Sequence, residues 1–156
     1  MSFLSSLNIS GSGLTAEHTR LNIVAENISN MDTTRTAEGG PYTRKLTVFQ
    51  ATESGSFGYL LNRRIKNSVV GTPLYGAVND GAGVIVSDII DDESDYKRVY
   101  EPEHPDADED GYVLYPNVDV LKETADAMSA TRAYQANVTE LNSITQMASM
   151  GLDIRL

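Results

Sequence analysis

Apolar residues recur at helical spacing at both ends of the chain, and the stretch between them lacks that spacing. Near the N-terminus Leu7, Leu14, Leu21 and Ile28 repeat every seven residues, and near the C-terminus Tyr134, Val138, Leu141, Thr145, Ala148 and Leu152 advance in steps of four and three. One or two apolar positions per heptad make a narrow seam, which is what one helix needs to lie lengthwise along another. The pattern predicts a helix through most of residues 1–32 and a second through most of 117–156, packed as a coiled-coil-like pair. Gly11 and Gly13 weaken the first by about 1 kcal/mol each relative to Ala. It should stop near Asn30, where Asn27-Ile-Ser-Asn-Met-Asp-Thr-Thr supplies short side chains that bond the local backbone and compete with the helix.

The second helix has Asn117 or Asp119 as its N-cap, and Glu123 and Asp126 put acid in early turns where the helix dipole favours it. No proline interrupts it up to Asp153, so about 35 residues would span roughly 50 Å. That length exceeds what a 156-residue globule needs to enclose its own core. A second row on this helix, Leu121, Ala125 and Met128 early, then Ile144, Met147 and Ile154 late, is available to a neighbouring subunit. A two-helix core element of a monomer accounts for the same periodicity.

Residues 33–116 read as turns and strands. Lys45–Ala51, Phe57–Leu61, Ile65–Val70, Gly83–Ile90 and Tyr112–Tyr115 have strand composition, punctuated by Gly39-Gly40-Pro41, Gly71-Thr-Pro73, Asp80-Gly-Ala-Gly83 and Asp110-Gly111. No helical crossover separates the runs, so the expected middle is small, antiparallel and β-rich. The fold class is therefore α+β, with 1–32 and 117–156 forming one helical domain and 33–116 the other.

Composition narrows the chemistry. A net charge of −10 and the lack of any basic cluster larger than Arg63, Arg64 and Lys66 exclude a nucleic-acid partner. The absence of cysteine removes disulfides, thiolate nucleophiles and Cys-ligated metals. No apolar run approaches a membrane span, and the start lacks the basic region and continuous apolar core of a cleaved signal. Asp106-Ala-Asp-Glu-Asp-Gly111 resembles the first half of a calcium loop, but its twelfth position is Asn117 where a bidentate Glu is required, and prolines deny it flanking helices. Asp80-Gly-Ala-Gly83 lacks the Lys-Ser/Thr of a phosphate loop. His18 and His104 sit in unrelated contexts, and no nucleophile elbow is present. Neither an enzyme nor a cofactor or small-molecule substrate is expected.

Asn27-Ile-Ser-Asn-Met-Asp-Thr-Thr, after Leu14 and Arg20-Leu21-Asn22, resembles the signature of bacterial flagellar rod and hook proteins. Val99-Tyr-Glu-Pro-Glu-His-Pro-Asp-Ala-Asp108, Gly111-Tyr-Val113, Tyr115-Pro-Asn-Val118 and Ala130-Thr-Arg-Ala-Tyr-Gln-Ala-Asn137 narrow the resemblance to the FlgC family of proximal-rod proteins. That resemblance implies a structural subunit of the basal-body rod, the axial shaft that transmits torque and encloses the export channel. It implies other copies, other rod proteins, and membrane-ring and export-gate components as partners. It also implies a periplasmic location reached through flagellar export without a cleaved signal. The contrasting reading is an acidic calcium- or peptide-binding module. Residues 52–80 carry no landmark of the family.

The residues expected at interfaces are Leu7, Leu14, Leu21 and Ile28 on the first helix and Tyr134, Val138, Leu141 and Leu152 on the second. Asn27, Asn30 and Asn137 are expected to hydrogen-bond helix ends or neighbouring chains. The acidic segment 88–110 and the basic Arg35, Arg44, Lys45, Arg63, Arg64 and Lys66 either draw adjacent subunits into register or leave 88–110 as a solvated loop. Exposed pairs are worth only about 0–1 kcal/mol each, so charge would set register while apolar seams hold the assembly.

Overall fold

A computed structural model describes residues 3–37, 39–52 and 83–153. The order is α1 (Phe3–Ser29), β1 (Lys45–Ala51), β2 (Val84–Asp91), β3 (Lys97–Tyr100), β4 (Tyr112–Tyr115) and α2 (Val120–Asp153). The fold class is α+β, as the periodicities predict. The strand expectations at Phe57–Leu61 and Ile65–Val70 lie outside the described residues.

The helix ends have identifiable causes. α1 runs through Gly11 and Gly13 and closes at Asn30, whose backbone N–H bonds the Glu26 carbonyl at 3.1 Å while its side-chain amide bonds the same oxygen at 3.0 Å. Thr33 then donates to Asn30 Oδ1 at 3.3 Å, the local competition expected of this segment. Of the two candidate caps for α2, Asp119 serves: its Oδ1 accepts the Leu121 N–H at 3.0 Å. Asn117 is engaged elsewhere.

β1 and β2 form a two-stranded sheet. The Asp92 N–H bonds Arg44 O at one end and the Thr52 N–H bonds Gly83 O at the other, both at 2.8 Å, so the strands are antiparallel. β3, which strand composition did not mark, pairs antiparallel with β4 in the register Lys97↔Tyr115, Arg98↔Leu114, Val99↔Val113 and Tyr100↔Tyr112. Alternation puts Val113, 1% exposed, into the core and leaves Tyr100 and Tyr112 on the outer face, where their rings meet edge to face at 5.3 Å. The turn before β4 needs glycine at position 111. Its φ is +78°, and a Cβ there would lie 3.0 Å from the Tyr100 ring.

The described residues divide into two compact units. Residues 3–16, 50–52, 83–85 and 135–153 make one, and Glu17–Phe49 with Val86–Tyr134 make the other. In the first, Ser10, Ala16 and Ile144 are buried, and Asn137 lies so close to Gly13 that a Cβ on that glycine would stand 2.8 Å from Asn137 Nδ2. Ser12 Oγ donates to the Ile9 carbonyl and accepts the Val84 N–H at 3.1 Å, linking α1 to the start of β2. In the second, Ile23, Val24, Tyr42, Val113 and Ala130 are buried, and so is a polar pair, Asn27 and Glu123. Arg20 bonds Asp126 and Asn27 bonds Glu123, so within this unit α1 and α2 run antiparallel.

Candidate functional site

The second unit is built around Glu123, whose side chain is 0% exposed. A carboxylate without partners there would be strongly unfavourable. It has two. Arg44, just ahead of β1, donates from Nε to Oε1 at 2.6 Å, and Asn27, in the last full turn of α1, donates from Nδ2 to Oε2 at 3.1 Å. Asn27 is satisfied in every direction: Nδ2 also donates to the Lys45 carbonyl, and Oδ1 accepts the Lys45 N–H and the Tyr42 hydroxyl, all at 2.9 Å. Arg44 continues outward to Asp92 at 3.2 Å and Asp126 at 3.4 Å, and its backbone N–H bonds Asn117 Oδ1 at 2.8 Å. Asn117 donates to Asp92 O at 2.9 Å and to Ser94. One cluster thus ties the end of α1, the entry to β1, the exit of β2 and the start of α2.

The electrostatics follow the geometry. Burial alone would depress the Arg44 guanidinium, but hydrogen bonds to Glu123 and Asp92 outweigh it and hold the group above its ordinary range. The Ser94 backbone N–H, reinforced by its hydroxyl and by Arg44, holds Asp92 below the usual carboxylate range. Lys45 is raised by its 2.6 Å bond to Glu26, and Tyr42 by burial and the Glu26 charge. An open cleft of about 270 Å³ beside the cluster is lined by Ile23, Val24, Leu46 and Phe49 with Arg20 and Asp126. The cations that line it, Arg20, Arg44 and Lys45, are already paired with carboxylates.

The predicted interface residues fall around this core. Leu7, Leu14, Leu21 and Ile28 are half-buried, while among the described α1 side chains the buried ones are Ser10, Ala16, Ile23, Val24 and Asn27. At about 100° per residue the leucine stripe lies roughly a quarter-turn from the centre of that buried face. On α2, Tyr134, Asn137, Val138 and Leu141 are half-buried, and Ile144 rather than Thr145 is the buried residue of its turn. The Leu152 side chain is outside the described set. Asn30 bonds the end of its own helix, Asn137 faces Gly13, and Asn27 bonds Glu123 in the first turn of α2 together with the Lys45 backbone.

Sequence reasoning missed Tyr42, set Arg44 only against segment 88–110, and read Glu123 only as an acid at the helix start. A signal existed: Glu123, Ala130, Asn137 and Ile144 are spaced by seven, so the charge occupies a seam position. Of the described basic residues grouped as partners for segment 88–110, Arg35 and Arg44 do meet it within the chain, and Lys45 is engaged elsewhere. Arg44 binds Asp92, Glu123 and Asp126, Lys45 binds Glu26, and Arg35 lies 3.6 Å from Asp106. Among the described residues, Asp92 and Asp106 are the members of the acidic segment so matched. Arg63, Arg64 and Lys66 lie outside the described residues. Thr34 and Arg35 hold Asp106, and among the described residues no group of three acidic, His or Cys side chains converges as a metal site. No described helix is long and apolar enough to cross a membrane.

Comparison with known proteins completes the picture. The family model described as flagella basal body rod protein matches residues 7–35, and that described as flagellar basal body rod FlgEFG protein C-terminal matches 109–154. These segments hold α1 from Leu7 onward with the turn after it, and β4 with α2. The flagellar basal-body rod protein FlgC of Bacillus subtilis is 43% identical, covering 99% of each chain. The protein of the same name from Borreliella burgdorferi is 36% identical over 99% of this chain and 98% of its own, and that from Escherichia coli 40% over 94% and 93%. Paired terminal helices, a polar cluster built for fastening rather than reaction, and this similarity along nearly the whole length agree: the chain belongs to the FlgC family of flagellar basal-body rod proteins, structural subunits rather than enzymes.

Proposed function

We propose that this chain is a subunit of the proximal rod, in which residues 1–32 and 117–156 form the axial wall and residues 33–116 stand outside it. It adds to other copies and to other rod proteins, with ring and export-gate components at the base, in the periplasm, after export without a cleaved signal. The observation that carries this reading is the apolar surface left over once the chain has folded. Leu121 is 80% exposed and Met128 57%, while Leu7, Leu14, Leu21 and Ile28 are half-covered by their own chain. Isolated apolar side chains on a surface are ordinary, but a stripe at heptad spacing along a helix is what a partner helix covers. The polar cluster supports the same reading, because it fastens the β-rich part to the helix pair through charge and hydrogen bonds and leaves these stripes to neighbours.

The test is complementation of a strain lacking the gene. The unmodified chain should restore rod assembly and motility, and Leu21→Asp should abolish both while the purified variant keeps its helical content, because an unpaired charge in a packed seam is costly. Motility restored by Leu21→Asp would refute the interface placement. Failure of the unmodified chain would refute the function.

A further inference from the structure

The second unit carries an apolar, cationic strip on one element and an apolar, anionic pad on another. On α2, Leu121, Ala125, Met128 and Arg132 follow steps of four, three and four, so they share one side of the helix, with Lys122 on its flank. All five are exposed. This side lies roughly 180° from Glu123 and Ala130, the buried face, at about 100° per residue. The strip runs about 16 Å along the axis at 1.5 Å per residue. Lys122 and Arg132 have no carboxylate partner among the described residues, as is also true of Lys97 and Arg98 on β3, whereas Arg20, Arg35, Arg44 and Lys45 all do.

The pad is the outer end of β3–β4. Tyr100 is 62% exposed, and the turn at Gly111 presses against it, with the Cβ position 3.0 Å from the ring and 3.2 Å from Pro102. Exposed Glu103 follows Pro102 in the chain, and exposed Asp110 precedes Gly111. Arg98 lies over Tyr112 at 4.7 Å, which leaves Tyr100 as the open ring.

We propose that the α2 strip of one copy docks on the Tyr100 pad of a second copy, with Leu121 and Met128 against Tyr100 and Pro102, and Lys122 and Arg132 facing Glu103 and Asp110. This rests on the rod-subunit reading and adds the residues of one self-contact. Charge complementarity selects the occupant. Two strips laid on each other would oppose cation to cation, whereas in a chain of net charge −10 the strip's cations are drawn to an acidic surface such as Glu103 and Asp110. Methionine against an aromatic ring adds a favourable sulfur contact.

The chain has no cysteine, which makes cross-linking clean. Full-length Leu121→Cys and Tyr100→Cys chains, mixed and oxidised, should give the mixed disulfide as the main product. Absence of that product, or a predominance of Leu121→Cys homodimers, overturns the proposal. Lys122→Glu with Arg132→Glu, or Glu103→Lys with Asp110→Lys, should each weaken self-association by about tenfold, and mixing the two variants should restore it. Lack of restoration, or strip reversal that blocks rod assembly without changing self-association, assigns the strip to another partner and overturns the second-copy contact. If the unmodified chain fails complementation yet cross-links as expected, the rod reading fails and this contact stands.

Discussion

Arg44→Ala is the perturbation that most directly interrogates the polar cluster. It removes the 2.6 Å donor to a carboxylate that is 0% exposed and leaves Asn27 as the one remaining donor to Glu123. Breaking a buried pair from one side costs about 3–5 kcal/mol, because the surviving charge stays buried without its counter-ion. Release of Asp92 and Asp126, both partly exposed, adds at most about 1 kcal/mol each. Against a total stability of roughly 5–15 kcal/mol this is a large fraction, and it should lower Tm by roughly 10 °C at about 2–4 °C per kcal/mol. The double variant Arg44→Met with Glu123→Leu removes both charges and should recover most of the loss, since replacing a buried ion pair by apolar side chains of similar volume is often neutral. Urea unfolding of the full chain, followed by circular dichroism for the single and double variants, gives the coupling energy. A loss below about 1 kcal/mol for Arg44→Ala, or a double variant less stable than the single one, would refute the reasoning.

Three further outcomes follow from the same geometry. Asp119→Ala should destabilise by about 1 kcal/mol through loss of the cap to the Leu121 N–H, and Asp119→Ser should retain most of it; the same unfolding curves decide. Gly13→Ala should fail to deliver the roughly 1 kcal/mol of helix propensity it offers, because its Cβ meets Asn137 at 2.8 Å, whereas Gly13→Ala with Asn137→Ala should recover that gain. Stability should be flat near neutrality and fall at both extremes of a pH titration. Asp92, depressed in the folded state, contributes above its unfolded pKa of about 4, and that contribution is lost as pH falls through its folded value. Lys45 and Tyr42, raised in the folded state, contribute fully below about pH 10, and theirs is lost as pH rises through their folded values. Stability that increased between pH 4 and 2 would contradict the Asp92 assignment.

Much of the architecture was legible without coordinates because it depends on local chemistry. Uninterrupted heptad spacing and a long stretch without proline specify α2, and its start needs only Asp119 and an acid in the first turn. β1, β2 and β4 fall where β-branched and aromatic residues lie between turns. β3 escaped because Lys97-Arg-Val-Tyr100 has two cations in four residues and becomes a strand through its partner, with Val99 opposite buried Val113. The site was less legible. Asn117 fits a helix cap as well as a loop anchor, and only the arrival of the Arg44 backbone decides between them.

By itself the chain determined where its helices lie, how long they are and which family it belongs to, since period, capping and motif are properties of neighbouring residues. Which helix face turns inward was decided by tertiary structure. Hydrophobicity alone points Leu14 and Leu21 into the seam. Close approach of two helices instead favours Gly13, Ala16 and Ala130, moving the leucines to the flank. Heptad spacing puts Glu123 at a seam position while its charge and its place in the first helical turn mark a surface acid, and it is buried because Arg44, 79 residues distant in sequence, brings the opposite charge to it.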